Sequence, residues 1–164
     1  MEADMLEKIN WKQLGIALAI PLAVGGLSAF LTKDSMKDFA KLKQPPLSPP
    51  GWLFPVVWTI LYILMGIASY LVYQQKQENR VQVVTALTLY GIQLFFNFFW
   101  SIFFFNLEWF FFALLWLIVL WILVLYTQRE FSALDKRAGY CLIPYILWST
   151  FAIYLNAGVA LLNR

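Results

Sequence analysis

Residues 49–73 read PPGWLFPVVWTILYILMGIASYLVY, and this stretch decides the fold. From Trp52 to Tyr73 there is no charged side chain, and the next one is Lys76. At about 1.5 Å per residue such a run makes a helix of about 33 Å, enough to cross the hydrocarbon core of a bilayer. Pro55 falls in the first turn, where a helix tolerates proline, so a span is expected from about Trp52 to Gln75. Within it Pro55, Trp58, Tyr62 and Ser69 advance by 3, 4 and 7 residues and share one face. Trp58 lies several residues inside the span, which points to an internal wall more than to an interface anchor.

Outward from that segment the same pattern recurs. Apolar runs cover about 14–31, 81–105, 109–126 and 138–162, giving an all-α membrane protein with five transmembrane helices in a single domain, 1–164. Composition agrees: 62% of the residues are hydrophobic and only 13% charged, against about 45–50% and about 25% in soluble domains. A 164-residue soluble fold cannot hide that much apolar surface, which excludes a soluble globular enzyme as well as a disordered chain. Asn106-Leu107-Glu108 is a very short turn, so the third and fourth spans are antiparallel neighbours, while Gln128 to Arg137 reads as a charged loop. In the first span Ala17, Pro21, Gly25 and Ala29 recur every four residues, a face suited to close helix approach, with Gly25 also a candidate for leaving room for a ligand. Pro144 is expected to kink or start the fifth span.

The first loop, 32–50, changes character. Lys33, Asp34, Lys37, Asp38, Lys41 and Lys43 alternate around Met36, Phe39 and Ala40, whose spacing predicts a short amphipathic helix at the membrane surface. Pro45, Pro46, Pro49 and Pro50 then force an extended segment, either a linker or a lid folded back over the bundle. Glu2, Asp4, Glu7 and Lys8 are unlike the basic start of a cleavable signal peptide. Seven basic residues (Lys8, Lys12, Lys76, Arg80, Arg129, Lys136, Arg137) lie on the N-terminal side and five (Lys33, Lys37, Lys41, Lys43, Arg164) on the other, so the positive-inside rule puts the N-terminus in the cytoplasm.

The chemistry inside the spans is uncharged. No Asp, Glu, Lys or Arg falls within a span core, which argues against an ion-coupled pump. There is no histidine and a single cysteine, Cys141, so neither a metal site nor a cofactor is expected, and no axial haem ligand: Cys141 and the four methionines lie outside the candidate faces. The net charge of +3 is spread over loops, suiting contact with membrane lipid and not nucleic acid. The interior instead offers amide, indole and phenol groups. Gln93, Asn97 and Trp100 share a face of the third span, and Trp148, Ala152, Leu155 and Val159 a face of the fifth. Such a set fits a flat, mostly apolar ligand with a few polar atoms. Asn97 equally suits a bridge between helices, and Trp109, at the opening of the fourth span, an interface anchor.

Three segments, PPGWLFPVVWTILYILMGIASYLVY at 49–73, QLFFNFFWSIFFF at 93–105 and PYILWSTFAIYLN at 144–156, are similar in order and spacing to the tryptophan-rich sensory protein and translocator protein family, also called the peripheral benzodiazepine receptor family. The resemblance implies a five-helix bundle around a pocket that opens toward the first loop, binding porphyrins such as protoporphyrin IX, isoquinoline carboxamides and benzodiazepine-type drugs, and in animals sterol. It places pocket tryptophans at Trp58 and Trp148, further pocket positions at Tyr62, Asn97, Trp100, Ala152 and Leu155, and an aromatic loop–helix junction at Trp52. It also implies a homodimer packed through the spans. The chain departs from the family at Asp38-Phe39, where a Trp-Tyr pair is frequent, and at Leu47, where another aromatic is frequent. The sterol-recognition pattern of the animal C-terminus is missing.

Three activities fit this reading: a membrane receptor that binds porphyrin for tetrapyrrole sensing or handling, a light-dependent porphyrin-degrading enzyme using Trp58 and Trp148, and a transport protein moving sterol or porphyrin.

Overall fold

A computed structural model describes residues 8–164; the acidic positions Glu2, Asp4 and Glu7 lie outside the described residues. The chain forms α1 (Trp11–Thr32), α2 (Ser35–Phe39), α3 (Leu53–Gln74), α4 (Arg80–Ser101), α5 (Phe110–Leu134) and α6 (Lys136–Leu162). Five of these helices, all but α2, are long and apolar enough to cross a membrane. They pack in the circular order α1, α3, α6, α5, α4, with α4 closing back on α1 and also meeting α3. The protein is therefore an all-α, multi-pass integral membrane bundle.

Local chemistry sets the helix ends. Asn10 caps α1, its side chain accepting from the Gln13 amide at 3.1 Å. The turn after α4 is tighter than a simple loop: Ile102–Asn106 form a π-helical turn, the Leu107 amide donates to the Ile102 carbonyl at 3.1 Å, and Glu108 takes a left-handed φ of 52°. The expected antiparallel α4–α5 hairpin follows. Two expectations are corrected. Gln128 to Arg137 is not a loop: α5 continues to Leu134, because a helix leaving the membrane keeps its backbone bonds satisfied in water as well, and Arg129, Glu130 and Leu134 are good helix formers. The break is one residue, Asp135, whose extended backbone (φ −150°, ψ 118°) caps α6. Pro144 also does not start the fifth helix; it lies within α6, two turns after Lys136.

Close approaches fix α1 against α3. A Cβ on Gly66 would stand 2.8 Å from the Leu18 Cα and 2.9 Å from the Ala17 carbonyl, so only glycine admits this contact. Nearer the first loop, about two turns along α1 from Leu18, a Cβ on Gly25 would run into the Tyr62 ring. The small-residue face of the first span is therefore the one that meets α3. Polar side chains bridge the remaining helices: Trp116 Nε1 donates to the Phe96 carbonyl at 2.8 Å, Asn156 Nδ2 to the Phe110 carbonyl at 2.9 Å and Trp121 Nε1 to Thr150 at 2.9 Å.

The first loop folds back over the bundle and is fastened to α6. The Asn163 carboxamide accepts from the Lys43 amide at 3.1 Å and donates to the Lys43 carbonyl at 2.8 Å. Tyr154 donates its hydroxyl to the Pro46 carbonyl at 2.7 Å. Pro45 rests on Gly158, where a Cβ would stand 2.5 Å from its ring. The segment is a docked cover rather than a free linker. The amphipathic helix within it is short, five residues, and turns Phe39 inward.

Candidate functional site

Two chambers lie beneath that cover and share Phe54, Trp58, Trp100 and Phe105 as a common wall. The outer one, about 310 Å³, is closed on the α1 side by Gly25, Ser28 and Thr32, and by Met36 of α2 and Tyr62 of α3. The inner one, about 20 Å³, is walled by Trp148, Ala152, Leu155 and Asn156 of α6 and is almost filled. What fills it is Phe39, whose ring sits 5.4 Å from that of Phe104, 5.2 Å from Phe105 and 6.4 Å from Phe54. The Asp38-Phe39 pair thus still delivers one aromatic ring from the loop into the bundle.

Trp58 is the pivot of the aromatic wall. It stacks on Tyr62 (centroids 5.7 Å apart, 28° between planes), approaches Trp100 at 6.3 Å and meets Tyr145 edge-on at 6.1 Å. Trp148 reaches the same space from α6, edge-on to Phe54 at 5.8 Å. Its Nε1 is buried and has no hydrogen-bond partner. A buried indole N–H without an acceptor is costly, and here it belongs to a wall residue of the inner chamber. Trp100 differs: its Nε1 donates to Asn156 Oδ1 at 3.1 Å, which locks that ring in place.

Under the chambers lies a polar network. Tyr62 donates to Asn97 Oδ1 at 2.6 Å, Asn97 Nδ2 to the Tyr145 hydroxyl at 2.7 Å, and Tyr145 to Gln93 Oε1 at 2.9 Å. Gln93 Nε2 reaches the Met65 sulfur at 3.9 Å. All of these residues are buried. The chain links α3, α4 and α6 and satisfies each amide and phenol away from water.

The structure thus sorts the sequence candidates. Gly25, Trp58, Tyr62, Trp100, Trp148, Ala152 and Leu155 line a chamber. Gln93 and Asn97 line neither and sit in the network below. Trp52 caps α3 and is 67% exposed, outside both chambers. Trp109 is likewise at the surface, stacked on Phe103. Met36, off the three candidate faces, lines the outer chamber from α2. Tyr145 and Asn156 escaped the reading although both are on the α6 face that carries Trp148 and Ala152; Tyr145 is three residues before Trp148 and Asn156 four after Ala152. Phe54 and Phe104 carried no signal beyond being aromatic, whereas Phe39 was marked by its amphipathic spacing and by the Asp38-Phe39 departure.

Electrostatically the site is bare. Neither chamber has an acidic wall residue, and the one cation is Lys33 on the outer chamber, its ammonium 4.4 Å above the Phe30 ring. Among the described residues no cluster of His, Cys, Asp and Glu could hold a metal.

A five-helix membrane bundle with an aromatic chamber under a docked proline-rich cover defines a class of multi-pass integral membrane proteins. The chain matches the TspO/MBR family over residues 17–162 and belongs to it. It is 38% identical to the tryptophan-rich protein TspO of Chlorobaculum tepidum over 92% of this chain and 95% of that one. It is 35% identical to the tryptophan-rich sensory protein of Cereibacter sphaeroides (94% of each chain) and 31% identical to the translocator protein of Homo sapiens (87% of this chain, 85% of that one).

Proposed function

We propose that the protein binds porphyrins, protoporphyrin IX among them, and similar flat hydrophobic molecules such as isoquinoline carboxamides, for tetrapyrrole sensing or handling. The observation that carries this reading is the unpartnered Trp148 Nε1 on an aromatic wall beside a chamber that Phe39, Gln44 and Ser48 of the cover close off. A planar ligand entering the outer chamber stacks on Trp58 and Tyr62, and as Phe39 swings out it presents an acceptor to the Trp148 N–H. Lys33 supplies a cation at the rim for a carboxylate, and Gly25 lets α1 pack directly against the Tyr62 ring and hold it in the wall. Nothing in the walls is an acid–base pair, so binding is the primary role. The N-terminus faces the cytoplasm by the balance of basic residues, seven against five, and the chambers then open on the opposite side.

The test is titration of the purified protein with protoporphyrin IX, in darkness and under illumination, for the parent and for Trp58→Phe, Trp148→Phe and Trp109→Phe. Trp58→Phe and Trp148→Phe each weaken dark binding by about 1–2 kcal/mol, and Trp109→Phe leaves it unchanged. Equal loss in all three variants would place the pocket elsewhere. Product that forms in light and disappears in the Trp58 and Trp148 variants while porphyrin stays bound would favour a degrading enzyme, and flux into sealed vesicles a transporter.

A further inference from the structure

A hydroxyl on a membrane-spanning helix has few partners, and the usual one is the carbonyl one turn earlier on the same helix. Every threonine in the described spanning helices donates to that carbonyl, at 2.7–3.0 Å. Ser69 and Ser149 also bond to carbonyls of their own helices, and Ser132 accepts from Gln128. Among the described residues of the spans, only the hydroxyls of Ser28 and Ser101 have no hydrogen-bond partner within the protein. Both residues line the outer chamber.

Neither oxygen is sealed in packing. The unpartnered polar atoms that are sealed, among the described residues, are the Tyr90 hydroxyl and Trp148 Nε1, so Ser28 and Ser101 keep surface on the chamber they line. Ser28 is nevertheless a buried residue, only 5% exposed. The two helix ends are tied together: Asn106 Nδ2, in the turn after α4, donates to the Leu31 carbonyl of α1 at 3.0 Å. The hydroxyls thus come from α1 and α4, while the stacked rings of Trp58 and Tyr62 come from α3. The Tyr62 hydroxyl and Trp100 Nε1 are already committed, to Asn97 and Asn156. Lys33 stands on the same chamber and no acidic side chain does, so this wall complements an electron-rich oxygen.

We propose that Ser28 and Ser101 determine which flat ligands the chamber accepts, each donating its hydroxyl hydrogen to a carboxyl or carbonyl oxygen on the ligand's edge. This rests on the porphyrin-binding reading above and adds the chemistry of selection to it. The rings of α3 hold any flat apolar face and do not discriminate. The two hydroxyls do, because a site that donates hydrogen bonds to a ligand's oxygen rejects the analogue that lacks it. Lys33 acts separately, through charge, and distinguishes a carboxylate from its ester.

Three porphyrins test this against the full chain in lipid nanodiscs, titrated in darkness: protoporphyrin IX, its dimethyl ester, which keeps the carbonyl oxygens without the charge, and etioporphyrin, which carries only alkyl groups. Ser28→Ala and Ser101→Ala should each weaken the first two by about five-fold and leave etioporphyrin unchanged. Lys33→Gln should weaken protoporphyrin IX alone. A second readout needs no ligand. Since neither hydroxyl has a protein partner to lose, both alanine variants should melt at or above the parent's temperature. Equal weakening of all three porphyrins, no weakening of any, or a lower ligand-free melting temperature in both variants would overturn the proposal while leaving porphyrin binding intact. If the parent binds none of the three, the porphyrin reading fails and this inference falls with it.

Discussion

Tyr62 is shared between the chamber and the polar network below it: its ring stacks on Trp58 at 5.7 Å while its hydroxyl donates to Asn97 at 2.6 Å. The phenol cannot turn without breaking one contact or the other. The network of Asn97, Tyr145 and Gln93 therefore sets the plane of the Tyr62 ring in the chamber wall, although neither amide side chain lines a chamber.

Tyr62→Phe keeps the stacking area but removes the donor to Asn97. Interhelical hydrogen bonds in membranes contribute about 1 kcal/mol. The variant should unfold in detergent with that loss of stability and bind protoporphyrin IX several-fold more weakly; a thermal melt and a titration check both. Unchanged affinity would mean that the network holds the helices without orienting the wall.

Gly25→Ala is expected to act more severely than its size suggests. The new methyl group collides with the Tyr62 ring, so either α1 moves away from α3 or Tyr62 leaves Trp58. Protoporphyrin IX affinity should fall about ten-fold or more, whereas Gly26→Ala, with nothing within 4 Å of its Cβ position, should change little.

The cover should govern kinetics. Asn163→Ala removes both hydrogen bonds to Lys43, and Gly158→Ala pushes Pro45 off α6. Both should speed ligand association and dissociation together, read by stopped-flow fluorescence of the porphyrin. Phe39→Ala should raise the association rate alone, since it empties the inner chamber and leaves the fastening intact. Release rates unaltered in both Asn163→Ala and Gly158→Ala would reduce residues 33–52 to a spacer.

At the α5–α6 junction, Asp135 accepts from the Arg137 side chain at 2.8 and 3.2 Å and from its amide at 2.8 Å. The Arg137 guanidinium holds this carboxyl below its ordinary value, outweighing the opposing effect of partial burial. Since the folded state prefers the ionised form, the contribution to stability is full above the unfolded value of about 4 and is lost as pH falls through the lower folded value. Melting temperature should therefore drop below about pH 4 in the parent more steeply than in Asp135→Asn, which keeps a capping side chain without a titrating one. Asp135→Ala should cost about 1 kcal/mol at neutral pH.

The five spans were legible because hydrocarbon demands uninterrupted apolar runs, and the chain supplies them from Leu14 onward. The chamber walls were legible for a related reason: Trp58 and Trp148 lie too deep in their spans to serve as interface anchors. What stayed hidden was geometry that residue type does not encode. Arg129 and Glu130 read as a loop, yet they continue α5 into water. IFFFN at 102–106 carries no mark of a π-helical turn. Gln93 and Asn97 shared a face with Trp100, but spacing alone could not tell a wall from the layer beneath it. Trp52 has the residue type of a binding contact and the exposure of a surface one.

The fastening of the cover has an evolutionary consequence. Asn163 and Tyr154 grip the amide and carbonyl groups of Lys43 and Pro46, never their side chains. Main-chain atoms are common to all residues, apart from the amide proton that proline lacks. Selection can therefore rewrite the side chains between Lys33 and Gly51 other than Pro45, whose ring is itself seated on Gly158, exchanging aromatic plugs or rim charges without relocating the segment that carries them.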